Sequence, residues 1–342
     1  MDRMRRRLPF WFPAALILAV SGGALVVAQM PMSMVPAGEP LLDPAEEVAW
    51  VCPMHPDYTA RGAGMCPRDG MMLVRSNPYD VRDYDFEFET VPAVVRAGEP
   101  ATLRFRVFHP GTGEMVHNFL TVHDKQYHLF VIGQDMEHFE HIHPEQAADG
   151  SWSIEVTLPE AGYYKVLSDF VPYGGSSQFI AQPLITAGYA GDLAADSARL
   201  VPNIDQPQTA GSLTATLTPD PAVFTAGLYG HLTFHLTDAV TDAPATDLQP
   251  YLASFGHMLI MSEDMVDYVH SHPLDLENAD DETGPLPLML PMGVDNSGLR
   301  GGPEVTFEGL MPRPGRYRAW TQFQRDDQIH TFVHTFEVGA RP

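Results

Sequence analysis

Two cysteines, Cys52 and Cys66, are all that 342 residues contain, which excludes a disulfide-built scaffold. Lysine is nearly absent too, occurring only at 125 and 165, and beyond Arg3 to Arg7 there is no dense basic stretch. Neutralising phosphates takes clustered cations, so nucleic acid is not an expected partner. No stretch holds an amphipathic helical period for more than a few turns, which sets helical folds aside. Missing as well are a Ser-His-Asp order, a phosphate-cradling glycine loop and a dinucleotide fingerprint in a fitting context. The chain is therefore not expected to be an enzyme.

Acid and soft donors are what it has in plenty. Against 20 Lys+Arg stand 44 Asp+Glu, a formal charge of −24, and a surface of that sign tolerates or attracts cations. The 15 His and 17 Met are a large stock of borderline and soft metal ligands. Hydrophobic residues make up 44% of the chain, ample for folded cores, and the length suits two or three domains.

Residues 1–28 read as an export signal. Arg3, Arg5, Arg6 and Arg7 precede an apolar run from Leu8 to Val27, and Val26-Val27-Ala28 supplies small residues before Gln29. The alternative is an uncleaved anchor, since about 20 apolar residues span a bilayer. Either way the body is expected to be extracytoplasmic, periplasmic or secreted, and to meet the membrane only through residues 8–27. Residues 29–48, bearing Pro and Met without hydrophobic periodicity, read as a tether, and a compact segment at 49–75 follows. Met30, Met32 and Met34 on that tether are a weak thioether signal for Cu(I).

From Tyr84 onward short alternating stretches dominate, such as Leu103-Arg104-Phe105-Arg106-Val107 and Ser153-Ile154-Glu155-Val156, each bounded by Gly, Pro or Asp. The expected fold class is all-β. Sliding the chain on itself by 129 residues lays 97–144 on 226–273 without a gap, and eleven of the 48 pairs are identical. Farther on, Leu158-Pro-Glu-Ala-Gly162 matches Met311-Pro-Arg-Pro-Gly315 at an offset of 153, so the second copy carries 24 extra residues. Two tandem immunoglobulin-like sandwiches are expected, at 84–187 and 212–340, joined by a linker at 188–211. The insertion, within 274–304, is rich in Asp, Glu, Gly and Pro and reads as a long surface loop without the ligand spacing of an EF-hand.

Copy one holds seven histidines between 109 and 143, yet the alignment keeps three: His128, His141 and His143 fall on His257, His270 and His272. Gly133 to Met136 is a turn signal between two β-like runs. If the turn is centred between Asp135 and Met136, His128 lies opposite His143 and Phe130 opposite His141, which puts all three imidazoles on one face. Three neutral imidazoles suit Cu(II), Zn(II) or Ni(II) with a position left open. A buried histidine bonded to backbone is the alternative for any one of them. Met136 and Met265 also match and read as turn-flanking core residues or thioether donors. His231 and His235 belong on the solvated face of a strand, while His330 and His334 are possible accessory ligands.

Residues 50–73 contain Cys52-Pro53-Met54-His55-Pro56 and then Gly64-Met65-Cys66-Pro67-Arg68-Asp69-Gly70-Met71. Cys-x-x-His followed by Cys-x-x-Asp forms a knuckle able to aim Cys52, His55, Cys66 and Asp69 at one ion; a Cys52–Cys66 disulfide is the alternative. The segment resembles the small heavy-metal-binding domain attached to periplasmic adaptors of copper and silver efflux systems and to some copper-transporting ATPases. That family carries a third Cys where Asp69 stands. The resemblance implies a metal-binding appendage on those residues. Less specifically, the tandem sandwiches resemble the immunoglobulin-type YtkA-like and copper-resistance CopC-like domains of exported copper proteins.

Two functions follow. One is an exported heavy-metal-binding protein, copper foremost and zinc the alternative, acting in metal handling, sequestration or delivery. The other is a tandem immunoglobulin-like interaction or scaffold protein that docks on a metal-efflux or respiratory membrane complex, with structural metal or none. Blue-copper electron transfer needs a Cys beside the His ligands, and the sandwiches have no Cys.

Overall fold

Period-two alternation becomes antiparallel sheet almost throughout in the computed structural model, which describes residues 40, 42, 48–52, 58–67, 72–77, 82–280, 284–287, 290 and 295–341. Among these residues there is no helix, hence none long and apolar enough to cross a membrane. The signal at 1–28, nearly all of the tether, His55 and Asp69 lie outside the described residues.

Three short strands, β1 (Ala49–Val51), β2 (Thr59–Ala60) and β3 (Val74–Ser76), form a small sheet with β1 central. The first sandwich contains β4 (Asp85–Val91), β5 (Pro100–Phe108), β6 (Tyr127–Gly133), β7 (Phe139–Ile142), β8 (Glu145–Gln146), β9 (Trp152–Thr157), β10 (Tyr163–Phe170) and β11 (Gln178–Ile185). They split into sheets of order β4-β5-β9-β8 and β11-β10-β6-β7. The second sandwich repeats the plan with β12 (Gln208–Ala210), β13 (Leu213–Asp220), β14 (Phe224–Thr225), β15 (Tyr229–Asp238), β16 (His257–Ser262), β17 (Tyr268–Ser271), β18 (Leu274–Asp280), β19 (Gly284–Pro287), β20 (Glu304–Leu310), β21 (Gly315–Arg325) and β22 (Gln328–Gly339). Its sheets run β12-β13-β15-β20 and β14-β22-β21-β16-β17. The chain is thus all-β, two tandem immunoglobulin-like sandwiches.

Strand β5 alternates buried and half-buried residues, the signature of one face on a core and one near water. Strands β6 and β16 are buried at every position. Parity explains this. Tyr127, Leu129 and Val131 pack into the first sandwich's own core, while Phe130 and Ile132 join a separate cluster with Leu259, Met261 and Trp320 of the second. The sheets containing β6 and β16 therefore pack against each other through their outer faces.

That interface obeys an approximate two-fold relation. Phe139 stacks on Trp320 at 4.8 Å, and its counterpart Tyr268 stacks on Phe179 at 3.8 Å. Arg318 donates to the Met136 carbonyl, and Lys165, which corresponds to Arg318, donates to the Met265 carbonyl. The Arg318 and Lys165 bonds are true equivalents, as in an isologous dimer, whereas the two stacks use different partners, Trp320 standing where the first copy has Leu167. Met136 and Met265 sit buried in this cluster as core residues.

Two expectations need correcting. The supposed linker 188–211 is not a bare connection: Ala198 and Leu200 bury in the inter-sandwich cluster, the Asn203 side chain accepts from the Thr335 amide, and β12 adds to an edge. Its scattered apolar residues find a surface that only the paired sandwiches offer. Within the insertion, expected as a long surface loop, β18 and β19 pair as a hairpin, with a register shift between Asp275 and Asp280.

Trp320 is 1% exposed at the centre of the interface. Trp320→Ala should lower unfolding stability by ~3–5 kcal/mol through the cavity it leaves, read as a drop in the denaturation midpoint by circular dichroism.

Candidate metal centre

The first triad is built by a hairpin. Strands β6 and β7 pair Phe130 with His141 and Leu129 with Ile142, partner numbers summing to 271 as the turn position requires, so His128, His141 and His143 share the interface face. The second copy repeats the pairing, with Leu259 opposite His270. Within each trio one ring nitrogen per histidine lies within 4.8 Å of the others. The interface brings the trios together: ring centroids of His128 and His270 are 5.6 Å apart, and those of His141 and His257 5.9 Å.

Outer partners settle which nitrogen carries the proton. His128 donates through Nε2–H to the Val122 carbonyl at 3.0 Å, and His141 through Nδ1–H to Gln322 Oε1 at 3.0 Å. The nitrogens left over, His128 Nδ1 and His141 Nε2, approach to 3.2 Å, as do His128 Nδ1 and His143 Nε2. In neutral rings the first contact sets one lone pair against another. Two nitrogens bound to one tetrahedral ion at about 2.05 Å stand about 3.3 Å apart, a spacing with which these 3.2 Å contacts are compatible. In the second triad His257 donates through Nε2–H to the Tyr251 carbonyl at 2.9 Å and His270 through Nδ1–H to Asp169 Oδ2 at 2.7 Å. There His257 Nδ1, His270 Nε2 and His272 Nε2 are buried with no hydrogen-bond partner. Orphaned buried nitrogens cost about 1–3 kcal/mol each, and here they occupy the positions of the first triad's lone pairs.

The outer acceptors of His141 and His270 come from the other sandwich. Asp169 is the cross-strand neighbour of His128 and Gln322 that of His257, yet Asp169 reaches His270 and Gln322 reaches His141. A carboxylate or carbonyl behind a ligating imidazole fixes its tautomer and raises its basicity. The pattern fits a metal and is more than a lone buried histidine needs.

Electrostatics favours neutral rings. Burial first, and then the neighbouring His270, pushes His128 down to about 4; burial and then His128 push His143 down to about 3. Burial and adjacent imidazoles also hold His141, His257 and His272 well below their ordinary value. A cavity of about 210 Å³ lined by His123, His128, His270, His272, Asp169 and Tyr268 leads to the centre. A larger one of about 790 Å³, beside Gln134 and Tyr164, holds no triad residue.

One histidine escaped the sequence argument. His123 has no histidine counterpart, Leu252 standing in its place, so recurrence could not find it. It is buried, stacks on His272 at 3.5 Å and lies 5.5 Å from His257. Its place two residues before Lys125, in a stretch rich in His, was the one available signal. His330 and His334 are the reverse case. Both are buried, and His334 packs on Phe234 inside the second sandwich because even-numbered β22 residues face its core, away from the triads. His231 and His235 pair with Glu308 and Glu304 on a solvated face.

Of the small segment's residues, Cys52 and Cys66 bury in one cluster with Leu120, Val122, Val171 and Ala253. The segment thus packs on the loops next to the triads, since Val122 also supplies the carbonyl bonded by His128.

No curated protein matches the sequence. Among solved structures, the Escherichia coli adhesin FdeC is 13% identical over 76% of this chain and 66% of its own, with a TM-score of 0.22. A putative membrane-anchored protein from Corynebacterium diphtheriae is 9% identical over 77% of this chain and 60% of its own, at 0.23. The fibronectin(III)-like modules of Clostridium thermocellum CbhA are 10% identical over 75% and 94%, at 0.19. The chain thus spans less than two thirds of the first two, and similarity this remote bears on neither site nor partner. Residues 79–185 and 208–340, one stretch for each sandwich, match the family described as Domain of unknown function (DUF8832), and the chain belongs to that family.

Proposed function

We propose that this is an exported protein that binds two transition-metal ions, copper foremost and zinc the alternative, at paired three-histidine sites buried between its sandwiches, for metal handling, sequestration or delivery. The observation that carries the reading is the set of ring nitrogens left without hydrogen-bond partners. Every outer nitrogen identified above is tied to a carbonyl or carboxylate, and the remaining ones converge within each triad. Imidazole donors suit Cu, Zn and Ni alike, and the general affinity order of divalent ions places copper above zinc at such a site. The heavy-metal-domain resemblance of residues 50–73 supports the same reading, with Cys52, His55, Cys66 and Asp69 as a further site. Residues 8–27 supply the export signal or anchor.

A scaffold reading has one observation in its favour. The interface already closes through apolar packing and reciprocal stacking, so the sandwiches hold together without any ion. On that reading the chain docks on a membrane complex and the triads only fasten the two halves.

Metal analysis separates the two. Protein lacking residues 1–75 should hold two equivalents of copper, and His141→Ala with His143→Ala should reduce this to one without unfolding the chain; protein free of metal and indifferent to added copper supports the scaffold. Asp169→Asn should weaken the second site by about 10- to 100-fold in a chelator competition and spare the first.

Acid should act on the metal-free protein as well. The buried rings have folded pKa values below 6.5, so the unfolded chain takes up protons first as the pH falls. Stability is complete above pH 6.5 and declines towards pH 4, levelling off near the folded values. Melting curves of chelator-treated protein should show this decline, and His143→Gln should flatten it.

A further inference from the structure

The two triads stand nearly as close to each other as their own rings do. Within the first, the centroids of His128, His141 and His143 are 4.9 to 5.5 Å apart. Within the second, those of His257, His270 and His272 are 4.6 to 6.0 Å apart. Across the interface His128 lies 5.6 Å from His270, and His141 lies 5.9 Å from both His257 and His270. An ion sits about 2.05 Å from a ligating nitrogen and so about 3.2 Å from the ring centre. Ions in the two triads are then at most about 12 Å apart, the 5.6 Å from His128 to His270 plus one such length at each end. One cavity touches both triads, lined by His128 together with His270 and His272.

Fixed negative charge is scarce there, although the chain as a whole carries −24. Asp169, bonded to His270, is the carboxylate of the cavity wall, and Lys125, one of the chain's two lysines, lines the same cavity with the opposite sign. Ligating imidazoles are neutral and offset nothing. Two divalent ions would therefore bring four positive charges into this interface, and two monovalent ions two. Burial cost and mutual repulsion both grow with the product of the charges, four for a divalent pair against one for a monovalent pair. The donor count points the same way. Among the described residues each group is three histidines without a carboxylate, whereas Zn(II) on three protein ligands takes a fourth donor from water or substrate.

We infer that the two triads form one electrostatically coupled pair that fills with two monovalent ions, Cu(I), and that a divalent ion in one triad opposes a divalent ion in the other. The inference rests on the metal binding proposed above and separates copper from zinc, which imidazole donors alone do not.

The test compares Zn(II) with Cu(I), the latter held reduced by ascorbate without oxygen, by chelator competition on the full chain and on His141→Ala with His143→Ala. The variant leaves the second triad alone, and any metal on residues 50–73 is common to both proteins. For Zn(II) the weaker triad step of the parent should be at least ~100-fold weaker than the second triad's binding in the variant, even with solvent at the cavity mouth screening part of the field. For Cu(I) the penalty should be the fourth root of that, about 3-fold. If the variant does not fold, the parent alone serves: its two triad steps should lie far apart for Zn(II) and close together for Cu(I). Equal penalties for the two ions, or none for either, would overturn the coupling while leaving metal binding intact. Stoichiometries of both ions that the double substitution leaves unchanged would overturn metal binding at the first triad, and the inference with it.

Discussion

Everything distinctive about this molecule depends on two duplicated sheets packing through their outer faces. An isolated sandwich would turn those faces to water, and the apolar residues on them would be a liability. Here Phe130, Ile132, Leu167, Leu259, Met261 and Trp320 lose their exposure to one another, and the histidines on the same face are carried in with them. Because the copies share one plan, several contacts are made twice, so a surface that is merely tolerable on one domain becomes a specific interface on two.

Carrying imidazoles into that interface is costly unless their polar atoms are answered. One nitrogen of each of His128, His141, His257 and His270 is answered by protein, and in the first and third cases by a backbone carbonyl next to a tight turn. The other two are answered across the interface, so domain packing and imidazole orientation are one interaction. Seating Asp169 against His270 requires the second sandwich to be docked. A displaced domain would release the ring's proton placement along with its position.

Duplication also explains how the two sites diverge. A single asymmetric change, His123 against Leu252 on matching left-handed turns, puts a buried imidazole against His272 that has no counterpart in the other copy. The turn backbone is in place in both copies, so the exchange of one side chain changes what stands beside a triad without altering the fold.

The strand class, the duplication and the triad membership were legible in the chain because each is a matter of local spacing: period two for strands, an offset of 129 for the copies, a turn at Asp135–Met136 for the hairpin face. The complete burial of β6 was half legible, since an unbroken run from His128 to Ile132 announces two covered faces without saying what covers the second. His123, Asp169 and Gln322 were not legible, because each acts on a triad more than 100 residues away and none recurs as the same residue at its repeat position. The inward turn of His334 was missed because facing a sandwich core or a partner sheet is a matter of parity within a sheet, and sequence spacing alone does not say which face is which. Local periodicity by itself determined two sandwiches and two histidine trios; only the tertiary structure decided that the trios meet, with a seventh histidine beside one of them, because meeting requires one sheet's outer face to find its own copy.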